Sequence, residues 1–440
     1  MSTAETPPAV ARPASIRHLK EHEGETVTLR GWLAAKRRSG KIAFLQVRDG
    51  SGIVQVVVSR NDVSPDAWQA VLDVTQESTV RIDGVPRVDE RAPGGVEVQG
   101  SDLVIEQLTE EYPITPKEHG TAFLMEHRHL WLRSSKQRAV LEVRSEVCQA
   151  IRDFFYEREF VLIDSPILTP NACEGTSTLF QTDYFGDPAY LSQSGQLYLE
   201  PAAAALGKVY CMGPTFRAEK SKTRRHLMEF WMVEPEVAFL ELDGLVQLAE
   251  DFVCSLVGRV LERCTEQLKV LERDPATLEK ITPGFPRITY TEAVEKLQAA
   301  GAEISWGDDF GGEDETKLAN LFDKPLFITH YPTAIKAFYM QPDPDNPDLA
   351  LAVDLIAPEG KGEIIGGSQR IHDHDLLLQR IHEHELPVEA FQWYLDVRKY
   401  GSFPHSGFGM GIERFISWMT GVSHLRETIP YPRMLYKIYP

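Results

Sequence analysis

Glycine occupies every second position of Gly407-Phe408-Gly409-Met410-Gly411, and the run leads directly into Ile412-Glu413-Arg414. A strand with this spacing lets its backbone come close to a flat ring, an approach that bulkier side chains block. The spacing is not the Gly-x-Gly-x-x-Gly of a dinucleotide fold. Far upstream, Thr215-Phe216-Arg217-Ala218-Glu219 sets an arginine beside a carboxylate, and a basic run from Lys220 to His226 follows. Arginine suits phosphate because its planar fork donates paired, charge-assisted hydrogen bonds and never deprotonates. Taken alone, the Arg217 motif is a surface ion pair worth little, and the glycine run a mere turn. Together and in this order they mark a nucleotide site, with Arg217 and Arg414 as its cations.

The chain has 440 residues, room for two or three domains and a sizeable core. No apolar run reaches the eighteen or so residues of a membrane span. Residues 1–15 are rich in Ala, Pro, Ser and Thr and lack an apolar stretch, so a disordered tail is expected and not a secretory signal. Five scattered cysteines without Cys-x-x-Cys spacing read as free thiols in a reducing cytoplasm. The net charge of −19 argues against a non-specific nucleic-acid coat. Basic residues nevertheless cluster at Lys36-Arg37-Arg38, between Arg128 and Arg138, and between Lys220 and Arg225. For the middle cluster an ordinary solvated face competes with an RNA-binding stripe.

Residues 16–108 read as five strands with one helix, between the third and the fourth. That order fits an OB barrel, a common binder of single-stranded nucleic acid. A hinge-like linker is expected over 109–130, followed by one α+β domain over 131–440. Its pattern is a mixed, mainly antiparallel sheet flanked by helices, without regular βαβ alternation. A polar, Gly/Pro-punctuated stretch over about 273–315 reads as a peripheral insertion. The pairs His372/His374 and His382/His384 lack a third ligand, so no zinc site is expected there.

The two arginine motifs resemble motifs 2 and 3 of the class II aminoacyl-tRNA synthetases. With the OB barrel in front, nearly the whole chain is similar to subclass IIb, and within it to the asparaginyl branch. The resemblance implies activation of L-asparagine with ATP and Mg²⁺ to asparaginyl-adenylate and pyrophosphate. Transfer of asparagine to the 3′-terminal adenosine of tRNA(Asn) follows, by a cytoplasmic homodimer with Pro166 at the dimer interface.

It also implies residue roles. Arg217 bridges the ATP α-phosphate and the substrate carboxylate. Glu219, Arg225 and His226 line the ATP site; Phe230 stacks adenine and Arg414 closes the other face. For Phe230 plain core packing is an equal reading. Asp354 and Glu363 hold Mg²⁺, although Gly366 stands where some relatives carry Ser. Glu174 and Gln196 face the substrate's α-groups, Arg370 its side-chain oxygen, and Glu234 its NH₂. Aspartyl enzymes place a Lys three residues after the pocket glutamine, where this chain has Leu199. In the barrel, Phe44 and Gln55 read anticodon bases, with Phe44 as barrel core the competing reading, and Arg37 and Arg38 meet stem phosphates. The competing functions are a short-type aspartyl-tRNA synthetase, a non-catalytic RNA-binding paralogue and an asparagine-synthesising relative.

Overall fold

The computed structural model describes residues 12–170, 173, 178–221 and 223–440. The chain divides into two compact units, Met1–Gly120 and Thr121–Pro440. The expected linker is thereby split. Residues 109–120 stay with the first unit, where Gln76 Nε2 donates to the Ile114 carbonyl at 3.2 Å. Thr121–Glu126 and Arg128–Trp131 are helical and belong to the second. Residues 1–11 of the expected tail, and Glu174 with most of its loop, lie outside the described residues.

In the first unit, strands β1 (Val27–Ser39), β2 (Ile42–Arg48), β3 (Ile53–Ser59), β4 (Thr79–Val88) and β5 (Val96–Gln107) form a barrel. Their order is β1-β2-β3-β5-β4, and β4 closes back onto β1. Alternate residues such as Val54, Val56 and Val58 point into the core, as a period of two requires. Helix α1 (Pro65–Asp73) sits between β3 and β4; Ser64 caps it by accepting from the Ala67 amide at 3.1 Å, and Pro65 starts it. At its other end Lys36 Nζ donates to the carbonyls of Val71, Leu72 and Val74 at 3.1, 2.8 and 2.7 Å. Lys36 is therefore a helix C-cap and drops out of the basic stripe.

The second unit is built on eight strands: β6 (Val161–Leu162), β7 (Lys208–Phe216), β8 (Glu229–Ala238), β9 (Arg287–Thr289), β10 (Leu326–Pro332), β11 (Leu349–Ala357), β12 (Gly362–Gln369) and β13 (His405–Gly411). Their order is β9-β10-β11-β12-β13-β8-β7-β6, antiparallel except for the two edge pairs. Its helices include α2 (Ser135–Glu157), α3 (Gln196–Leu206), α4 (Leu242–Arg263), α5 (Tyr290–Ala299), α6 (Gly312–Ala319), α7 (Gln392–Lys399) and α8 (Ile412–Thr420). Val140, Val143, Val147, Ile151 and Phe154 of α2 share a core with Leu245, Phe252 and Leu256 of α4. Each such side chain contributes about 1.5–3 kcal/mol on full burial.

Two expectations are corrected. The stretch 273–315 is not peripheral: β9 joins the main sheet, and Tyr290, Ala293, Val294 and Leu297 of α5 bury against Leu326 and Ile328. A capping box between Thr289 and Glu292 starts α5. The basic cluster from Arg128 is not a surface stripe at its first member. Arg128 is buried, and its guanidinium donates to the carbonyls of Pro430 and Ile429, both at 2.9 Å. It fastens the C-terminal segment to the domain. No helix among the described residues is long and apolar enough to cross a membrane.

Candidate active site

Strands β7, β8, β12 and β13 present one polar surface. Arg217 follows β7; its guanidinium lies 5.5 Å from the Phe230 ring, and its amide donates to the Met228 carbonyl at 3.0 Å. Phe230 is half-buried on β8, so it is not simply core. In the loop between the strands, His226 Nε2 lies 3.4 Å from a Glu219 oxygen. Burial lowers the pKa of His226, against the pull of Glu219, so it is neutral near pH 7. Arg225 reaches α6, donating to the Gly312 carbonyl and Thr316 Oγ1 at 3.3 and 3.1 Å and pairing with Glu315 at 3.4 Å. Arg414, in the first turn of α8, donates to the Glu363 carbonyl. Glu413 beside it points inward, pairing with Arg144 at 2.7 Å and accepting from the Trp231 amide at 3.0 Å.

Asp354 on β11 and Glu363 on β12 converge. A Cβ on Gly366 would lie 2.7 Å from Glu363 Oε1 and 3.5 Å from Asp354 Oδ1, so the bare glycine leaves both carboxylates room. Burial, then the charge of Asp354, push Glu363 up to about 8, and burial raises Glu315 as well. Lys336 Nζ lies 2.8 Å from Asp354 Oδ2. The paired carboxylates are a hard, oxygen-only set of the kind that suits Mg²⁺.

The far end of the surface is built on β8 and the start of α3. Glu234 is buried and accepts from Ser194 Oγ, from the Gly195 amide at 2.8 Å and from Cys211 Sγ at 3.4 Å. Arg370 is fully engaged on one side: it forks onto Glu236 at 3.1 and 2.9 Å and donates to Ser368 Oγ at 2.8 Å. Gly407 is dictated by this pair, because a Cβ there would fall 1.9 Å from Glu236 Oε2. Leu199 faces away from the cavity into a small core with Ala203, Val209 and Cys211.

Ser194, Gln196, Arg217, Glu234, Asp354, Glu363, Arg370 and Arg414 all line one cavity of about 470 Å³. A recess of about 160 Å³ beside it is lined by Arg217, Glu219, Arg225, His226, Phe230, Glu363 and Arg414. Pro166 is exposed, near exposed Val161, Leu162, Ile167 and Leu168. In the first unit, Arg37 and Phe44 are register partners across β1 and β2, with the guanidinium 4.8 Å from the ring. Phe44 alternates with buried Ala43 and Leu45, so it stands on the outer barrel face and not in the core. Gln55 shares that face and bonds Glu97 at 3.4 Å. Arg38 is exposed one residue out of phase with Arg37.

Sequence reasoning missed Lys336, Glu315, Glu236, Glu200, Arg398 and His405. Only Glu236 left a trace, two residues after Glu234 and so on the same strand face. Among the described residues one cluster has metal-ligand geometry, Glu200, Glu236 and His405. Arg370 and Arg398 already neutralise its carboxylates. It is an ion-pair network.

Residues 121–435 match the family of tRNA synthetases class II (D, K and N), and residues 27–106 match the OB-fold nucleic acid binding domain. The chain is 55% identical over 425 residues to the asparagine–tRNA ligase of Pelotomaculum thermopropionicum, covering 97% of this chain and 99% of that one. It is 57% identical over 435 residues to that of Sorangium cellulosum, covering 96% and 98%. The structure of asparaginyl-tRNA synthetase from Pyrococcus horikoshii complexed with asparaginyl-adenylate superposes with a TM-score of 0.95 at 42% identity, covering 98% of this chain and 100% of that one. An aspartyl tRNA synthetase from Entamoeba histolytica gives 0.83 at 26% identity, covering 100% of this chain and 95% of that one.

Proposed function

The chain belongs to the class II tRNA synthetases, in the family of asparagine–tRNA ligases, and from that premise we propose how its cavity works. The asparagine carboxylate attacks the α-phosphorus of ATP, the bond to the bridging oxygen breaks, and pyrophosphate leaves with the electron pair. Two anions must meet for this. Arg217 lies between the recess and the larger cavity, where one fixed cation offsets their repulsion and stabilises the charge of the transition state. Phe230 stacks adenine, Glu219 and His226 border the nucleotide, and Arg414 closes over it. Arg225 acts mainly by holding α6 against the site, a reading its three contacts support. Asp354 and Glu363 are the residues that would hold Mg²⁺, whose chemistry there is to neutralise phosphate charge.

Gln196 and Glu174 take the substrate's α-groups. Arg370 offers its remaining N–H groups to the side-chain oxygen, and Glu234 accepts from the side-chain NH₂. The adenylate then passes asparagine to the terminal adenosine of tRNA(Asn). Phe44 and Gln55 take anticodon bases on the outer barrel face, and Arg37 and Arg38 take phosphates. The exposed apolar residues around Pro166, with the short edge strand β6, support a homodimer through that edge. Free cysteines at all five positions support a cytoplasmic setting.

The observation that carries this reading is a single cavity joining Arg217, Arg414, the Asp354/Glu363 pair and the Glu234/Arg370 pair. Charging of tRNA with labelled asparagine against labelled aspartate tests it. Charging with aspartate at equal efficiency would overturn the asparagine assignment.

A further inference from the structure

Gln196 opens α3, and Glu200 lies one turn on along the same face. Glu200 is wholly buried, yet four side chains converge on it, Gln196 from its own helix and Tyr394, Arg398 and His405 from 194 to 205 residues downstream. Gln196 Nε2 donates to its Oε1 at 3.1 Å, and Tyr394 OH to the same oxygen at 2.7 Å. Arg398 donates to Oε2, and His405 Nε2 lies 3.0 Å from it. Arg398 in turn donates to the Ile371 carbonyl at 2.9 Å, the residue next to Arg370.

Burying such a network costs several kcal/mol of desolvation per ion, and apolar side chains of similar volume would stabilise the fold as well. A positional task explains it better. An ionised carboxylate only accepts, so the NH₂ of Gln196 must point at Glu200. Its carbonyl oxygen is then left toward the cavity. Burial pushes the pKa of Glu200 up, but the guanidinium of Arg398 and then His405 hold it below the ordinary carboxylate range.

We propose that Glu200 is a positioning residue for the amino-acid substrate. It locks Gln196 as an acceptor for the substrate's ammonium, and through Arg398 it ties that end of the pocket to the backbone carrying Arg370. The inference rests on the asparagine reading of the same cavity and deepens it.

Asparagine-dependent ATP–pyrophosphate exchange by the unaltered enzyme comes first, because its absence would end the functional reading whatever Glu200 does. Glu200→Asp keeps the charge that Arg398 and His405 need, but draws the carboxylate back by about 1.5 Å, one C–C bond. Glu200→Gln keeps the length and loses the charge. For both, KM for asparagine should rise about tenfold, as for loss of one hydrogen bond to a charged group, with KM for ATP unchanged. Inhibition by succinamate, which is asparagine without its amino group, reads the ammonium directly. The preference for asparagine over succinamate should shrink by about the same factor. Should Glu200→Gln fail to fold, the aspartate variant carries the test alone. An unchanged asparagine-to-succinamate preference, or KM values for asparagine and ATP rising together, would overturn the proposal.

Discussion

Glu234→Gln is the substitution most directly read from the pocket. The Gly195 amide is a backbone donor that cannot turn away from the residue 234 oxygen it bonds at 2.8 Å. An amide replacing the carboxylate must therefore keep its oxygen at that place, where Cys211 Sγ also donates. Its NH₂ falls where Ser194 Oγ now donates, and Ser194 lines the cavity with residue 234. Ser194 can rotate its hydroxyl to accept, so the fold survives. The pocket, however, now offers a donor where it offered an acceptor. The NH₂ of asparagine meets another NH₂, while the carboxylate of aspartate meets a donor and loses a charge that repelled it. For two carboxylates about 4 Å apart at an effective dielectric near 20, that repulsion is about 4 kcal/mol, or roughly a thousandfold. The Asn/Asp ratio of adenylate formation, measured by pyrophosphate exchange with each amino acid, should fall by about two to three orders of magnitude. Asparagine activation should fall as well as aspartate activation rise. A ratio within threefold of the unaltered enzyme would refute this account and move discrimination away from Glu234.

Arg217→Ala removes the cation between the two reacting anions and should lower pyrophosphate exchange by about a hundredfold or more; exchange within threefold of the parent would remove Arg217 from the mechanism. Phe44→Ala should raise KM for tRNA by about tenfold while leaving pyrophosphate exchange intact, because Phe44 belongs to a different compact unit from Arg217. A loss of both activities would show that the ring supports the barrel instead. Glu363→Gln should raise the Mg²⁺ concentration needed for half-maximal exchange, and chelation of divalent ions should stop exchange in the unaltered enzyme. Exchange that persists in excess chelator would exclude a metal role for Asp354 and Glu363.

Local regularities determined most of the architecture from the sequence alone. The period-two runs of the barrel are properties of short segments, and they stand where periodicity put them. Motif spacing and family resemblance picked out Arg217, Arg414, Asp354, Glu363, Glu234 and Arg370 as candidates, and all six line one cavity. The stretch 273–315 misled because its polar, Gly/Pro-broken composition hid β9 and α5, whose burial comes from a distant strand, β10. Lys36 and Arg128 misled for a related reason. A cation in a basic run looks solvated until a helix end or a chain terminus arrives to use its donors. Glu200, Arg398 and His405 carried no signal at all, being separated by up to 205 residues and meaningful only as partners. A buried carboxylate is tolerable only where countercharges converge on it in three dimensions, and that convergence belongs to the tertiary structure.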